Sequence, residues 1–145
     1  MRVVLQRVNR GAVIVDGARI AEIEHGLVIL LGVGPDDGEE QIEYLVNKIA
    51  NMRIFGDDHG KINRSILDIS GEAIVVSQFT LYADTRKGRR PSFTKAAPPE
   101  IAKPLVDRFA ERLVQVGVPT QTGEFGAHMQ VEIQNDGPVT IWLER

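Results

Sequence analysis

The first third of the chain is patterned as strand, turn and returning strand, and few other folds accommodate it. Residues 2–9 alternate imperfectly between apolar and polar positions, as a strand with one buried face does. Ala12 to Val15 form a second apolar run, closed by Asp16-Gly17. An Asp-Gly pair between two such runs signals a two-residue hairpin turn. The return runs from Ala18 to Ile23. After His25-Gly26, the segment Leu27–Val33 is apolar throughout, which suits a central strand.

Gly34-Pro35-Asp36-Asp37-Gly38 breaks this pattern, and the spacing then predicts a helix over 39–52. Ile42, Leu45, Val46 and Ile49 share one face of it. Asp37 is its candidate cap, and Glu39 and Glu40 suit the positive end of the helix dipole. Arg53 to Phe55 read as extended, Asp57-Asp58-His59-Gly60 as a turn, and 63–68 as irregular. Ala73 to Val76 are a short buried strand. The segment 83–98 is polar and without period, a long loop of the kind that carries function. A second helix is predicted from Pro99 or Glu100 to Val116, with Ile101, Leu105, Phe109 and Leu113 as its inner row and Val106 and Ala110 beside them. Pro104 is expected to break its first turn, and Gly117 to stop it. Strands follow near 119–122, 129–134 and 139–143. The expectation is one α+β domain over residues 1–145, with two main helices on a curved, mostly antiparallel sheet or barrel. A crossover through the first helix would make the sheet mixed.

Composition narrows the function classes. The chain has no cysteine, so disulfides and thiolate chemistry are excluded. No apolar run approaches the length of a membrane span, and the N-terminus lacks the plan of a signal peptide. A cytoplasmic protein is the expectation. The formal net charge is −3, so nucleic acid would have to meet a local basic patch. One exists: Arg86-Lys87-Gly88-Arg89-Arg90 is positive at every position but the glycine. His25, His59 and His128 are far apart, and none has a partner at ligand spacing, so no metal or cofactor is expected.

The chemistry concentrates where the buried strand ends, at Ser77-Gln78-Phe79-Thr80. Polar groups there are either hydrogen-bonded as a structural corner or form the floor of a site, since leaving one buried and unpaired costs roughly 1–3 kcal/mol. A hydroxyl nucleophile needs a base within hydrogen-bond reach, and no His or carboxylate is adjacent to Ser77 or Thr80. His128 is the best distant candidate.

Ser77-Gln78-Phe79-Thr80-Leu81 and Asn135-Asp136-Gly137-Pro138-Val139-Thr140 together resemble the motifs of the D-aminoacyl-tRNA deacylase family. The resemblance extends over nearly the whole chain. It includes the opening Met1-Arg2-Val3-Val4-Leu5-Gln6-Arg7-Val8, Lys87-Gly88-Arg89-Arg90-Pro91-Ser92-Phe93, and Phe125-Gly126-Ala127 with Met129.

The resemblance implies a barrel-like homodimer that hydrolyses the ester of D-aminoacyl-tRNA, and of glycine mischarged on tRNA(Ala). The alternative is a tRNA 3′-end binding module without catalysis. Main-chain N–H groups at Gln78, Phe79 and Thr80 would hold the developing oxyanion, and a vicinal ribose hydroxyl would assist. Thr80 as nucleophile is the rival route. The Gly137–Pro138 bond is assigned cis by resemblance. The pair would enter the partner's pocket and set chirality, fixed in place by Arg7. Phe125, Ala127 and Met129 either line an adenine pocket or pack in the core. Arg89 and Arg90 are assigned to the RNA backbone.

Overall fold

The N-terminal hairpin is more continuous than its sequence pattern. In the computed structural model, which describes residues 1–145, the two expected strands 2–9 and 12–15 are one, β1 (Arg2–Val15). Gly11 keeps the ladder unbroken, pairing with Ile23 on one flank and Ile133 on the other. A side chain there would put its Cβ 2.7 Å from Val28. Asp16 and Gly17 both take positive φ, 49° and 80°, as the hairpin turn requires. β2 (Ala18–Ile23) and β3 (Gly26–Gly32) return along β1, with Val13 opposite Ala21 and Leu5 opposite Ile29.

The other flank of β1 is covered by β8 (Met129–Glu144), which joins the expected strands 129–134 and 139–143 into one. Between the two expected strands, Gly137-Pro138 lies in a bulge inside one strand. Gln6 pairs with Thr140 and Val8 with Asn135, so Asp136 to Val139 all face the single residue Arg7. Such an insertion lets a strand carry an irregular segment without ending its pairing.

β6 (Glu72–Ser77) adds parallel to β3, and β7 (Thr120–Thr122) adds parallel to β6. The sheet is therefore mixed. Its parallel pairs come from two crossovers, one through α1 (Glu39–Asn51) and one through α2 (Pro99–Gln115). The sheet curls nearly closed: the Gln121 side chain on β7 accepts the Glu22 N–H at 3.0 Å and donates to the Glu22 carbonyl at 2.6 Å, bridging to β2. A small separate sheet pairs β4 (Phe55–Gly56) with β5 (Ile62–Arg64), where irregular chain was expected from residue 63.

Strand alternation sorts the core into two parts. Val3, Leu5, Leu27, Ile29, Leu31, Ala73 and Val75 face the helices and form the larger cluster with Ile42, Leu45, Val46 and Ile49 of α1. Val28, Ile74 and Val76 face the other way, against Val8, Val13, Ala21 and Ile23. β3 and β6 are buried on both faces, which is why they read as unbroken apolar runs.

The helices differ from expectation in three details. Gly38, not Asp37, is the N-cap of α1, and its N–H is taken by the Gln41 side chain at 2.9 Å. Asp37 instead accepts the Gly34 N–H at 2.6 Å and pairs with the Met1 amino group at 2.5 Å. α2 runs unbroken through Pro104, because the bond lost there falls next to a first turn whose N–H groups lack intrahelical acceptors anyway. Its buried stripe is Ala102, Val106, Phe109, Ala110 and Leu113, so Ile101, expected inside, is 39% exposed. Gly117, at φ 100°, ends α2, and the Val118 N–H reaches back to the Leu113 carbonyl at 3.0 Å. No helix is long and apolar enough to cross a membrane.

Candidate active site

β6 delivers Ser77 to the end of the sheet, paired with Leu31 of β3. The chain then turns into a single 3-10 turn, Phe79–Tyr82. The Gln78 N–H is consumed at this junction, donating to the Leu31 carbonyl at 2.7 Å. Phe79 and Thr80 are different. The first N–H groups of a 3-10 turn have no acceptor within it, and no loop, cap or side-chain acceptor takes these two.

Ser77, Gln78 and Phe79 line a cavity of about 450 Å³, within the ~300–1,000 Å³ of small-molecule sites. Leu31 and Val33 form one wall, Ala102 and Val106 of α2 another, and Phe125 with Gly126 a third. The rest comes from the long loop, which contributes Phe93, Ala96, Ala97 and Pro98. Phe93 meets Phe79 edge-to-face, with ring centroids 5.1 Å apart. The cavity is thus mostly apolar, with Ser77 and Gln78 as its polar side chains.

No general base stands beside the hydroxyls. The Thr80 Oγ1 accepts from the Gln78 side-chain amide, which cannot take up a proton. Thr80 is exposed and Ser77 half-buried. The Asp57 turn is self-contained: the carboxylate accepts the His59 and Lys61 N–H groups at 2.9 Å each.

The long loop carries the basic run as a short projection. Asp84 and Ser92 exchange two backbone hydrogen bonds, 2.8 and 3.0 Å, which pinch its base. Arg86 folds back on Asp84, and its side chain and backbone N–H together hold that carboxyl well below the usual carboxylate range. Arg89 and Arg90 are exposed beyond it.

The other expected site residues lie elsewhere. Ala127 and Met129 pack against the smaller core cluster and do not line the cavity. Gly137 and Pro138 are exposed, and their peptide bond is cis. Arg7 grips the bulge from below: Nε lies 2.9 Å from an Asp136 carboxylate oxygen, and Nη1 donates to the Ile54 carbonyl at 2.6 Å. Asn135 closes it from the side, donating to the Arg7 and Val139 carbonyls at 2.9 and 3.2 Å. Arg7 is level with Leu27, and Leu27 with Ala73, so the bulge sits four residues short of Ser77. That is roughly 13 Å along the strands at ~3.3 Å per residue. The bulge does not line its own chain's cavity.

Sequence reasoning did not place Phe93, Ala102 or Val106 at the site. The signal for Phe93 was an aromatic residue inside an otherwise polar loop. For Ala102 and Val106 it was the alternative stripe of α2.

The sequence model described as D-Tyr-tRNA(Tyr) deacylase matches residues 4–144. A D-aminoacyl-tRNA deacylase of Thermomicrobium roseum is 59% identical over 144 residues, covering 99% of this chain and 94% of that protein. A D-aminoacyl-tRNA deacylase of Roseiflexus castenholzii is 61% identical, covering 99% and 92%. The solved c-Myc DNA Unwinding Element Binding Protein superposes with a TM-score of 0.94 at 44% identity, covering 100% of this chain and 99% of the other. With a full-length family match and relatives this similar over their whole length, the chain belongs to the D-Tyr-tRNA(Tyr) deacylase family.

Proposed function

We propose that this protein works in the cytoplasm as a homodimer that hydrolyses the ester between a D-amino acid, or glycine mischarged on tRNA(Ala), and the 3′ end of tRNA. The observation that carries the reading is the pair of unclaimed main-chain N–H groups at the start of the 3-10 turn: that of Phe79, which lines the apolar cavity, and that of Thr80 next to it. A developing oxyanion needs such donors, each worth roughly 3–4 kcal/mol when preorganised. The cavity suits a terminal adenine stacked on Phe79, Phe93 or Phe125, since RNA ends are held by aromatic stacking. With no side-chain base present, the vicinal ribose hydroxyl orients the attacking water.

Handedness is assigned to Gly137 and Pro138. Neither carries an ionisable group, so their contribution is shape and carbonyl direction. Their distance from Ser77 in the same chain supports delivery by a second copy. There they accept from the substrate's ammonium and leave no room for an L side chain. Glycine passes the same filter. The deciding experiment follows ester loss from D- and L-aminoacyl-tRNA with purified protein. Release of the D-amino acid alone is expected, whereas tRNA retention without ester loss would make the protein a binding module.

Two further outcomes follow. Thr80→Ala keeps much of the single-turnover rate, because only its main-chain N–H is used. A loss of roughly four or more orders of magnitude would instead restore Thr80 as a nucleophile. Reversing charge at Arg89 and Arg90 weakens tRNA binding and flattens its salt dependence, by about one unit of slope per lost phosphate contact. An unchanged slope would return these residues to a solvated loop.

A further inference from the structure

A single 3-10 turn is a poor platform for preorganised donors. Its internal hydrogen bonds are few and badly aligned; here the Leu81 N–H reaches Gln78 at 3.2 Å and the Ala83 N–H reaches Thr80 at 3.0 Å. Its start is tied to the sheet through the Gln78 N–H. Its far end is held by the Tyr82 hydroxyl on Asp37 and by a side chain that does not line the cavity.

That side chain is Arg2, at the first position of β1, opposite Gly32 of β3 and Glu144 of β8. Nη1 donates to the Leu81 carbonyl at 2.9 Å, and Nε to the Glu144 carboxylate at 2.7 Å. The guanidinium carbon lies 4.4 Å from the centre of the Tyr82 ring and 5.8 Å from that of Trp142. An Arg–Glu pair on a surface does little by itself. This one is aimed: the carboxylate and the Trp142 ring orient a planar fork whose remaining donors and face engage the last two residues of the turn. Tyr82 is buried, its hydroxyl donating to Asp37 at 3.3 Å.

We propose that Arg2 is a positioning residue, holding the Phe79–Tyr82 turn so that the free N–H groups of Phe79 and Thr80 keep their place beside the cavity. The proposal rests on the deacylase reading for what those N–H groups do, but not for whether Arg2 holds the turn. An ammonium in place of the guanidinium keeps a charge over Tyr82 and lacks the flat fork that bonds Leu81 and Glu144 together.

The test uses the full-length protein with Arg2→Met, Arg2→Lys and, as a control, Glu24→Gln at an exposed position just past the end of β2. Amide hydrogen exchange reads the turn directly. In Arg2→Met, the Leu81 and Ala83 amides exchange about tenfold faster while those of β1 and β8 keep wild-type protection. Single-turnover deacylation falls by about 10- to 100-fold with KM within about twofold of wild type, as expected for misplaced transition-state donors. Arg2→Lys recovers part of both losses, and Glu24→Gln stays near wild type. Wild-type exchange at Leu81 and Ala83 in Arg2→Met overturns the proposal, as does faster exchange spread evenly over β1 and β8. Should Arg2→Met not fold, Arg2→Lys is read by the same amides. If the wild-type protein releases no amino acid, the deacylase reading fails, and the exchange result alone still decides the role of Arg2.

Discussion

Gly137→Ala is expected to remove nearly all D-aminoacyl-tRNA deacylation. Two causes act together. Gly137 has φ 113°, a conformation that L residues rarely adopt and that costs on the order of 1–3 kcal/mol to enforce. The new Cβ would also lie 2.8 Å from Nη2 of Arg7. Retreat of Arg7 would break its bond outside the bulge, from Nη1 to the Ile54 carbonyl at 2.6 Å. The bulge therefore moves, carrying Pro138 with it. If the bulge forms the chiral wall of a neighbouring site, a shift on the order of 1 Å costs about 100-fold in rate or more. Single-turnover rates on D- and L-aminoacyl-tRNA measure this directly, and a wild-type rate and selectivity in Gly137→Ala would remove the bulge from the mechanism. Val139→Ile is the companion variant. It changes a half-buried side chain at the last position of the bulge and leaves the backbone alone, so its effect is small.

The positions that were legible in the sequence are those where local chemistry and long-range packing agree. The Asp16-Gly17 turn follows from backbone preference alone. The stripe of Ile42, Leu45, Val46 and Ile49 is buried as spaced, because α1 packs one face onto the sheet. The Ser77–Thr80 corner was visible as polar residues ending a buried strand. The Gly117 stop follows from the same conformational logic as the turn.

What was not legible depends on partners distant in sequence. Nothing local says that Asn135 will donate to the Arg7 carbonyl, 128 positions away, and so keep β8 one strand through Gly137-Pro138. The Gln78 N–H looked available until β3 took it. Ile101 and Ala102 both fit an amphipathic α2, and only the sheet beneath selects the stripe containing Ala102. The apolar cavity is assembled from β3, the turn, the long loop, α2 and the Phe125 segment, each too short to announce it. Phe79 and Phe93 are apolar residues at 57% and 36% exposure on its rim, which only the folded arrangement makes meaningful.

Gly32→Val should be nearly as damaging as Gly137→Ala, through the opposite half of the site. A Cβ on Gly32 would stand 3.0 Å from the Gln78 carbonyl oxygen, 3.1 Å from the Leu81 Cβ and 3.2 Å from the Tyr82 ring. All three belong to the corner and turn that present Phe79 and Thr80. Valine adds two methyl groups beyond that Cβ, and overpacking of this kind costs about 1–3 kcal/mol and displaces what it meets. The 3-10 turn yields more readily than β3, which is paired on both flanks. The expected result is a folded protein with a single-turnover rate about 100-fold down, with Gly32→Ala between it and wild type. Gly56→Ala, where a Cβ meets nothing within 4 Å, is the inert control. The two damaging variants also test the dimer together. Gly137→Ala leaves the cavity intact, and Gly32→Val leaves the bulge intact. In a two-fold dimer whose sites each combine one chain's cavity with the other chain's bulge, a mixed dimer regains one whole site. Equal co-expression with random pairing then restores about a quarter of wild-type activity, from half the dimers with one of two sites each. Recovery no greater than the mean of the two variants would mean that each chain works with its own residues alone.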